Sequence, residues 1–351
     1  MKTGIVFDKR FALHQMGEEH IESPLRIIAL YELVQTRLKS GFTLVEPRPA
    51  TTEEIQMVHL PEYVSFLKET AGREDYYQFD PDTIAGPYTY EAACLAAGAG
   101  LTAADLILEG KLDNALALVR PPGHHAESHR PMGFCFFNNI AITAEYLRRK
   151  KSIRRILIVD WDLHHGNGTQ KAFYDRPEVL YISLHQSPLF PGTGSAAEVG
   201  EKEGLGYNLN LPLRAGKTDE DYLYLFQQVI RPVAASYKPE FVLVSAGFDI
   251  MRWDPLGRME LSAEGCGDIS QVLTDIAAEY ASGRQIVFLE GGYNLKELKE
   301  GVEEVSLRLN GSKRRELPDL PCPPALAAEI SPYLKIFCNF WEEIPVLEDQ
   351  S

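Results

Sequence analysis

Short apolar, β-branched runs alternate with longer stretches of helical periodicity along most of the chain. The runs fall at 4–8, 115–119, 156–160, 179–185, 241–247 and 286–292. The later ones are apolar throughout, as in strands buried on both faces of a parallel sheet. Between them, 90–109, 138–150, 219–237 and 263–281 read as helices. Ser23 before Pro24 looks like an N-cap and first helical position, with Gly41 as the end of that helix. Thr218 and Asp221 form a near capping box, and Gly283 fits a C-cap. Strand, helix and strand in series predict an α/β fold, with a central, mostly parallel sheet of about eight strands flanked by helices. There is no internal repeat. The proline-rich segment 317–324 is expected to begin a tail that wraps one domain spanning 1–351.

Composition narrows the function class. The 351 residues carry 35 Lys and Arg against 50 Asp and Glu, a formal charge of −15. That balance opposes nucleic-acid binding, which needs a basic footprint, and suits cationic partners. The N-terminus lacks the pattern of a signal peptide. No apolar run approaches the roughly 18 residues of a membrane span, so no membrane partner is expected. The five cysteines, Cys94, Cys135, Cys266, Cys322 and Cys338, form no C-x-x-C pair. They read as reduced thiols in a cytoplasmic protein. Two motif-like segments are set aside. Ala215-Gly216-Lys217-Thr218 lacks the earlier glycine of a phosphate loop, because position 211 is leucine. Gly98 and Gly100 lie inside an alanine-rich helix, where they permit close helix packing.

The chemistry collects at predicted strand ends, where ligands bind in open α/β sheets. His124, His125, His164, His165 and His185 all sit just past such ends. In Asp160-Trp-Asp162-Leu-His164, an extended backbone would point Asp160, Asp162 and His164 to one face. Asp162 and His164 make the O,N half of a metal site. Asp254, in Asp-Pro-Leu-Gly, is a candidate third ligand. Two carboxylates and a neutral imidazole would offset a divalent cation and leave coordination open for water and substrate. Tyr293, after Gly291-Gly292, can hold a hydroxyl over the site. Next to a metal-bound water, one histidine of the His124–His125 pair can take a proton, and the pair can later give one to a leaving amine. Asp160 is placed to fix a tautomer.

These blocks resemble the histone deacetylase / acetylpolyamine amidohydrolase family, which has the arginase–deacetylase fold. The matching segments are LVRPPGHHAE (118–127), GFCFFNN (133–139), VDWDLHHGNGTQ (159–170), SLH and FPGTG within 183–194, SAGFD and DPLG within 245–257, and LEGGYN (289–294). They occur in family order and read like the class II and bacterial branch. The resemblance implies that Asp162, His164 and Asp254 bind zinc, with Fe(II) as the alternative metal. It implies His124 and His125 as the catalytic pair, with His125 the general base and acid and Asp160 the partner of His124. Asn167 stands where the class I branch has an acidic partner for His125. Tyr293 matches the residue that polarises the scissile carbonyl. Gly133, Phe134 and Phe190 match the walls of the acyl-lysine channel, and Leu261 its gate. A structural potassium would match Asp160, Asp162, His164, Ser183 and Leu184. A second would use carbonyls of Phe173, Arg176, Val179 and Tyr207. Met251 and Trp253 depart from many relatives near the pocket mouth.

The expected activity is removal of an acyl group, most simply acetyl, from a lysine side chain of a protein or peptide. Three rivals remain: the same chemistry on acetylated polyamines, an arginase-like binuclear manganese hydrolase, and a catalytically silent acyl-lysine reader.

Overall fold

The computed structural model describes residues 1–345 and 347, so the very end of the expected tail lies outside the described residues. Strands β1 (Thr3–Val6), β2 (Thr43–Val45), β5 (Asn114–Ala117), β6 (Ile156–Asp160), β7 (Val179–Gln186), β8 (Asn208–Leu213), β9 (Phe241–Ala246) and β10 (Gln285–Leu289) form one sheet. Its order is β2-β1-β5-β10-β9-β6-β7-β8, and every pairing is parallel. A separate antiparallel hairpin joins β3 (Tyr77–Asp80) to β4 (Thr83–Ala85).

The two-residue period of the strands divides the core in two. Ile156, Ile158, Phe241 and Leu243 pack on one side of the sheet, with the Thr89–Leu108 and Asn139–Lys151 helices. Leu157, Val159, Val242 and Val244 pack on the other, with the Ala263–Tyr280 and Leu295–Leu309 helices. This two-sided burial explains why the strands read as unbroken apolar runs.

The Thr89–Leu108 helix corrects the membrane expectation in one respect. It is long and apolar enough to cross a bilayer, but 72% of its apolar window is buried inside the fold. Its glycines pack as expected: a Cβ on Gly98 would meet the Arg48 carbonyl, and one on Gly100 would meet Thr143 and Phe288.

Other local expectations meet mixed outcomes. The first long helix runs Pro24–Thr36 and ends well before Gly41. The Asp221 carboxylate accepts the Thr218 N–H at 2.9 Å and its hydroxyl at 3.1 Å. The helix read as continuous over 219–237 is broken by a π turn at Phe226–Ile230. Pro232 follows it, and proline supplies no N–H and crowds the preceding turn. Gly283 donates to the Ala277 carbonyl at 2.8 Å and closes the helix before β10. Lys217 is buried against Glu329 at 2.8 Å, so it anchors the Pro324–Phe337 helix. That helix packs near edge strand β8. Farther on, the Trp341 indole donates to the Gly206 carbonyl at 2.8 Å. All five cysteines are free thiols.

Candidate active site

The loops after β5, β6, β7, β9 and β10 meet at the C-terminal edge of the sheet. They line a cavity of about 260 Å³ with His124, His125, Gly133, Phe134, Asp162, His164, Phe190 and Tyr293. Pro122, Leu189 and Leu256 add apolar wall, and Asp80 and Asp82 reach it from the β3–β4 hairpin. The channel is thus mainly apolar, with polar groups at its floor and acidic groups on one side.

At the floor, ligand atoms of Asp162, His164 and Asp249 all lie within 4.8 Å of one another. His164 Nδ1 is 3.2 Å from both Asp162 Oδ1 and Asp249 Oδ2. Asp249 was not among the expected ligands, and Asp254, the expected third one, does not join this close group. Asp254 Oδ2 accepts the N–H groups of Tyr293 at 2.6 Å and Asn294 at 3.2 Å, and Oδ1 accepts that of Leu256 at 3.0 Å. A carboxylate offers about four acceptor sites, so three backbone bonds leave one open. Those bonds fix Asp254 to the turn that carries Tyr293. Asp249 is wholly buried, and its Oδ1 accepts the Leu163 N–H at 3.1 Å. The two carboxylates are near enough that the Asp254 charge bears on Asp249.

The floor fits a metal ion. Asp249 Oδ2 is buried without a well-formed hydrogen bond. A Cβ on Gly247 or Gly291 would strike the Asp162 and Asp249 carboxylates, so both glycines make room for this group. Burial, then the Asp162 charge, pushes the Asp249 carboxyl up from its ordinary range. Clustered buried carboxylates of this kind call for a cation. One imidazole nitrogen among carboxylates suits Zn(II) or Fe(II).

The two adjacent histidines are in opposite electrostatic states. His124 Nδ1 is 3.0 Å from Asp160 Oδ2, which also accepts the Tyr181 hydroxyl at 3.0 Å. Burial would lower the His124 pKa, but Asp160, Asp162 and Glu290 outweigh it and raise it to about 10. His125 Nδ1 is 2.8 Å from Asn167 Oδ1. Burial, with His124 and His164 nearby, holds its pKa well below the ordinary value, so His125 is neutral. The two rings lie 4.0 Å apart between centroids. His165 turns away to Thr193 and Gln170, as its place in the strand period predicts.

The walls follow from backbone constraint. Gly133 has φ +54°, and a Cβ there would strike the His125 ring. Phe134 follows at φ +69°, a strained angle for a phenylalanine. Its ring packs edge-on to Tyr293 at 6.0 Å, and Phe190 packs edge-on to His125 at 5.2 Å. Leu261 does not reach the channel. It is fully buried in the core and bridged to Met251. Leu256, two residues past Asp254, takes the channel position instead. The sharp turn at Pro255–Gly257 brings position 256 out while the chain returns to the core by 261.

Tyr293 is held from behind by a buried ion network that no sequence motif signalled. Arg26 donates to the carbonyls of Gly292 at 2.7 Å and Glu290 at 2.6 Å, and its guanidinium lies 5.0 Å from the Tyr293 ring centroid. Glu22 neutralises both Arg26 at 3.0 Å and Arg120 at 2.7 Å. Burial pushes the Tyr293 phenol well above its ordinary pKa, so it remains a donor. Glu290 was also missed. It accepts the Gly123 N–H at 2.7 Å and the Ser245 hydroxyl at 2.9 Å, and so ties the histidine loop to two strands.

For the first potassium set, Asp160 at the end of β6 pairs in register with Ser183 inside β7; Leu184 follows in β7, and Asp162 and His164 lie just past β6. For the second, Phe173, Arg176 and Val179 fall around one turn, where Arg176 N–H donates to the Phe173 carbonyl at 3.1 Å. The Tyr207 carbonyl accepts from Tyr181 at 3.0 Å.

An eight-stranded parallel sheet with an imidazole among carboxylates at the channel floor, and a histidine pair beside it, defines the class. The family model described as the histone deacetylase domain matches residues 20–309. The chain belongs to the histone deacetylase family. It is 38% identical to histone deacetylase 15 of Arabidopsis thaliana, covering 98% of this chain and 63% of that protein. It is 39% identical to a probable deacetylase of Archaeoglobus fulgidus (84% of this chain, 82% of the relative). It is 41% identical to the human polyamine deacetylase HDAC10, covering 88% of this chain and 48% of that protein. The crystal structure of the HDA15 HD domain superposes with a TM-score of 0.90 at 38% identity, covering 97% of this chain and 96% of the other. The chain thus spans about half to two thirds of the plant and human relatives.

Proposed function

We propose that this protein is a metal-dependent amidohydrolase that removes acetyl groups from lysine side chains of proteins or peptides. The observation that carries the reading is His125, held through Nδ1 by Asn167, beside the acidic floor of an apolar channel. Asp162 and His164 would hold the metal, with Asp254 as the third ligand that the family resemblance implies. Position favours Asp254 over Asp249 for that place. Asp254 is tied to the Tyr293 turn at the channel and keeps an open acceptor site, whereas Asp249 lies wholly buried beneath His164. Zn(II) and Fe(II) are both suited. When bound, the metal would supply Lewis-acid activation of the carbonyl and lower the pKa of water. His125 Nε2 accepts the proton of the attacking water and later returns it to the departing amine. The Tyr293 hydroxyl donates to the developing oxyanion. His124, held by Asp160, lies beside His125, and the acidic groups around it favour positive charge there. Phe134, Phe190, Leu189 and Leu256 enclose the alkyl chain and exclude water.

A second reading is the same chemistry on an acetylated polyamine, favoured by Asp80 and Asp82 beside the channel. Potassium at the two sets named above is part of the proposal as an expectation of the family resemblance. The test is acetate release from an acetyl-lysine peptide and from acetylputrescine by the metal-loaded protein, with His125→Ala as control. Release from the peptide that disappears in the variant supports the reading. Absence of turnover on both substrates overturns it and leaves the silent reader.

A further inference from the structure

The histidine that faces the channel is oriented by a chain of hydrogen bonds running to the surface. His125 Nδ1 lies 2.8 Å from Asn167 Oδ1, and Asn167 Nδ2 lies 2.9 Å from Glu127 Oε1. Glu127 in turn accepts from Lys171 Nζ at 2.6 Å and from the Arg130 guanidinium at 3.2 Å on both oxygens. Asn167 and Glu127 are buried, whereas Lys171 and Arg130 are exposed. The backbone of Glu127 is fixed independently, its N–H donating to the Arg130 carbonyl at 3.0 Å and its carbonyl lying 2.9 Å from His59 Nδ1.

An amide side chain carries a donor at one end and an acceptor at the other. Which end Asn167 presents to His125 Nδ1 decides which ring nitrogen bears the proton, and two acceptors hold its Nδ2, the His125 carbonyl at 3.3 Å and Glu127 at the shorter 2.9 Å. Ionised Glu127 has no hydrogen to give, so it must take the Asn167 N–H. That turns the Asn167 oxygen to His125 and makes Nδ1 the donor. Nε2 is left with its lone pair, as a proton acceptor requires.

We propose that Glu127 is a positioning residue: acting through Asn167, it sets the tautomer of His125 without touching substrate. Lys171 and Arg130 serve it by keeping it ionised. The inference rests on the reading of His125 as the proton acceptor.

The polarity of the chain gives a test with a sign. In Glu127→Gln, the amide oxygen is expected to stay with Arg130 Nε at the place of Oε2, and the NH2 to replace Oε1, the atom that accepts from Asn167 and Lys171. Asn167 then turns over, and the His125 proton moves to Nε2. Asn167→Asp alone sets two carboxylates against each other. When Glu127→Gln and Asn167→Asp are combined, the introduced amide can donate to the introduced carboxylate. That carboxylate can only accept from His125, so the polarity is restored.

The direct measurement is the long-range 1H–15N spectrum of histidine-labelled, metal-loaded protein. It should show His125 Nε2 unprotonated in the wild type, protonated in Glu127→Gln, and unprotonated again in the double variant. Turnover should follow. Glu127→Gln loses kcat on the order of 10²-fold, the lower end of the contribution of a general base, with KM and metal content little changed; the double variant regains most of it. An unchanged tautomer in Glu127→Gln, or a double variant no better than the single one, overturns the proposal. Should Glu127→Gln not fold, a wild-type His125 protonated at Nε2 overturns it alone. Because the tautomer is read without turnover, a wild type that lacks deacetylase activity sinks the functional reading and leaves the tautomer result standing.

Discussion

Asp249 and Asp254 are five residues apart and both buried, and their surroundings suit them to different jobs. Asp254→Asn should remove the third metal ligand and loosen the turn that carries Tyr293. Its carboxylate receives three backbone N–H groups, and an amide must give up one or two of them. At about 1.5–3 kcal/mol per charge-assisted bond, the loss is roughly 2–5 kcal/mol. For a chain of 351 residues, with an unfolding entropy of about 2.1 cal/mol/K per residue, that lowers Tm by about 3–7 °C. Asp249→Asn should leave the metal-free fold as stable as before or more so. Its Oδ1 accepts only the Leu163 N–H, which an amide oxygen can still do, and its Oδ2 adds a buried charge beside other acids. As a group that supports a ligand, it should cost about 10–100-fold in metal affinity, and Asp254→Asn should cost more. The assay is metal content by mass spectrometry across a range of free metal, beside melting of the metal-free forms. A metal-poor, less stable Asp254→Asn with a stable Asp249→Asn that still loads at higher metal is the expected pair. Metal kept by Asp254→Asn and lost from Asp249→Asn would refute the assignment.

Tyr293→Phe keeps the ring against Phe134 and Arg26 and removes one oxyanion donor, so kcat should fall about 10²–10³-fold with little change in KM; near-wild-type kcat contradicts the role. His125→Ala should lose on the order of 10²–10⁴ in rate, whereas His165→Ala, facing Thr193 and Gln170, should cost far less; equal losses would sink the distinction. Glu22→Gln leaves Arg26 and Arg120 buried without their anion, and chemical denaturation should show a loss of about 3–5 kcal/mol. Burial opposes the Glu22 charge, but Arg120 and Arg26 outweigh it and lower its pKa to about 2. The folded value lies below the unfolded one, so this stability is full above about pH 4.5 and lost as pH falls towards 2. Wild type should therefore show a steeper acid transition in that window than Glu22→Gln, and parallel profiles would argue against it.

The residues past the strand ends were legible because chain order and side-chain period determine them. Asp160 ends β6 and Asp162 and His164 follow it at once, and adjacent histidines after β5 have nowhere else to go. The carboxylates after β9 were legible only in part. Asp-Pro-Leu-Gly advertises a rigid turn, but not that Asp254 itself ties the turn to Tyr293. Asp249 sits in a segment with no punctuation, so its place beneath His164 emerges only from packing. The same turn explains why Leu256 rather than Leu261 meets the channel. Short edge strand β2 and the β3–β4 hairpin carry too few residues for a periodic signal, so the acidic pair beside the channel went unseen. The Glu22–Arg120 pair joins positions 98 residues apart, and only tertiary packing reveals such a contact. The π turn before Pro232 shows the opposite case, a local irregularity that proline does announce.

The central claim is that a metal held beside a neutral His125 makes this chain a deacetylase. The most direct measurement is acetate release from an acetyl-lysine peptide by one preparation, first stripped of metal and then reloaded with Zn(II) or Fe(II). Activity that vanishes on stripping, returns with about one equivalent of metal and stays absent in Asp254→Asn is the predicted result. Activity that survives complete removal of metal, or that no metal restores in a folded protein, would contradict it.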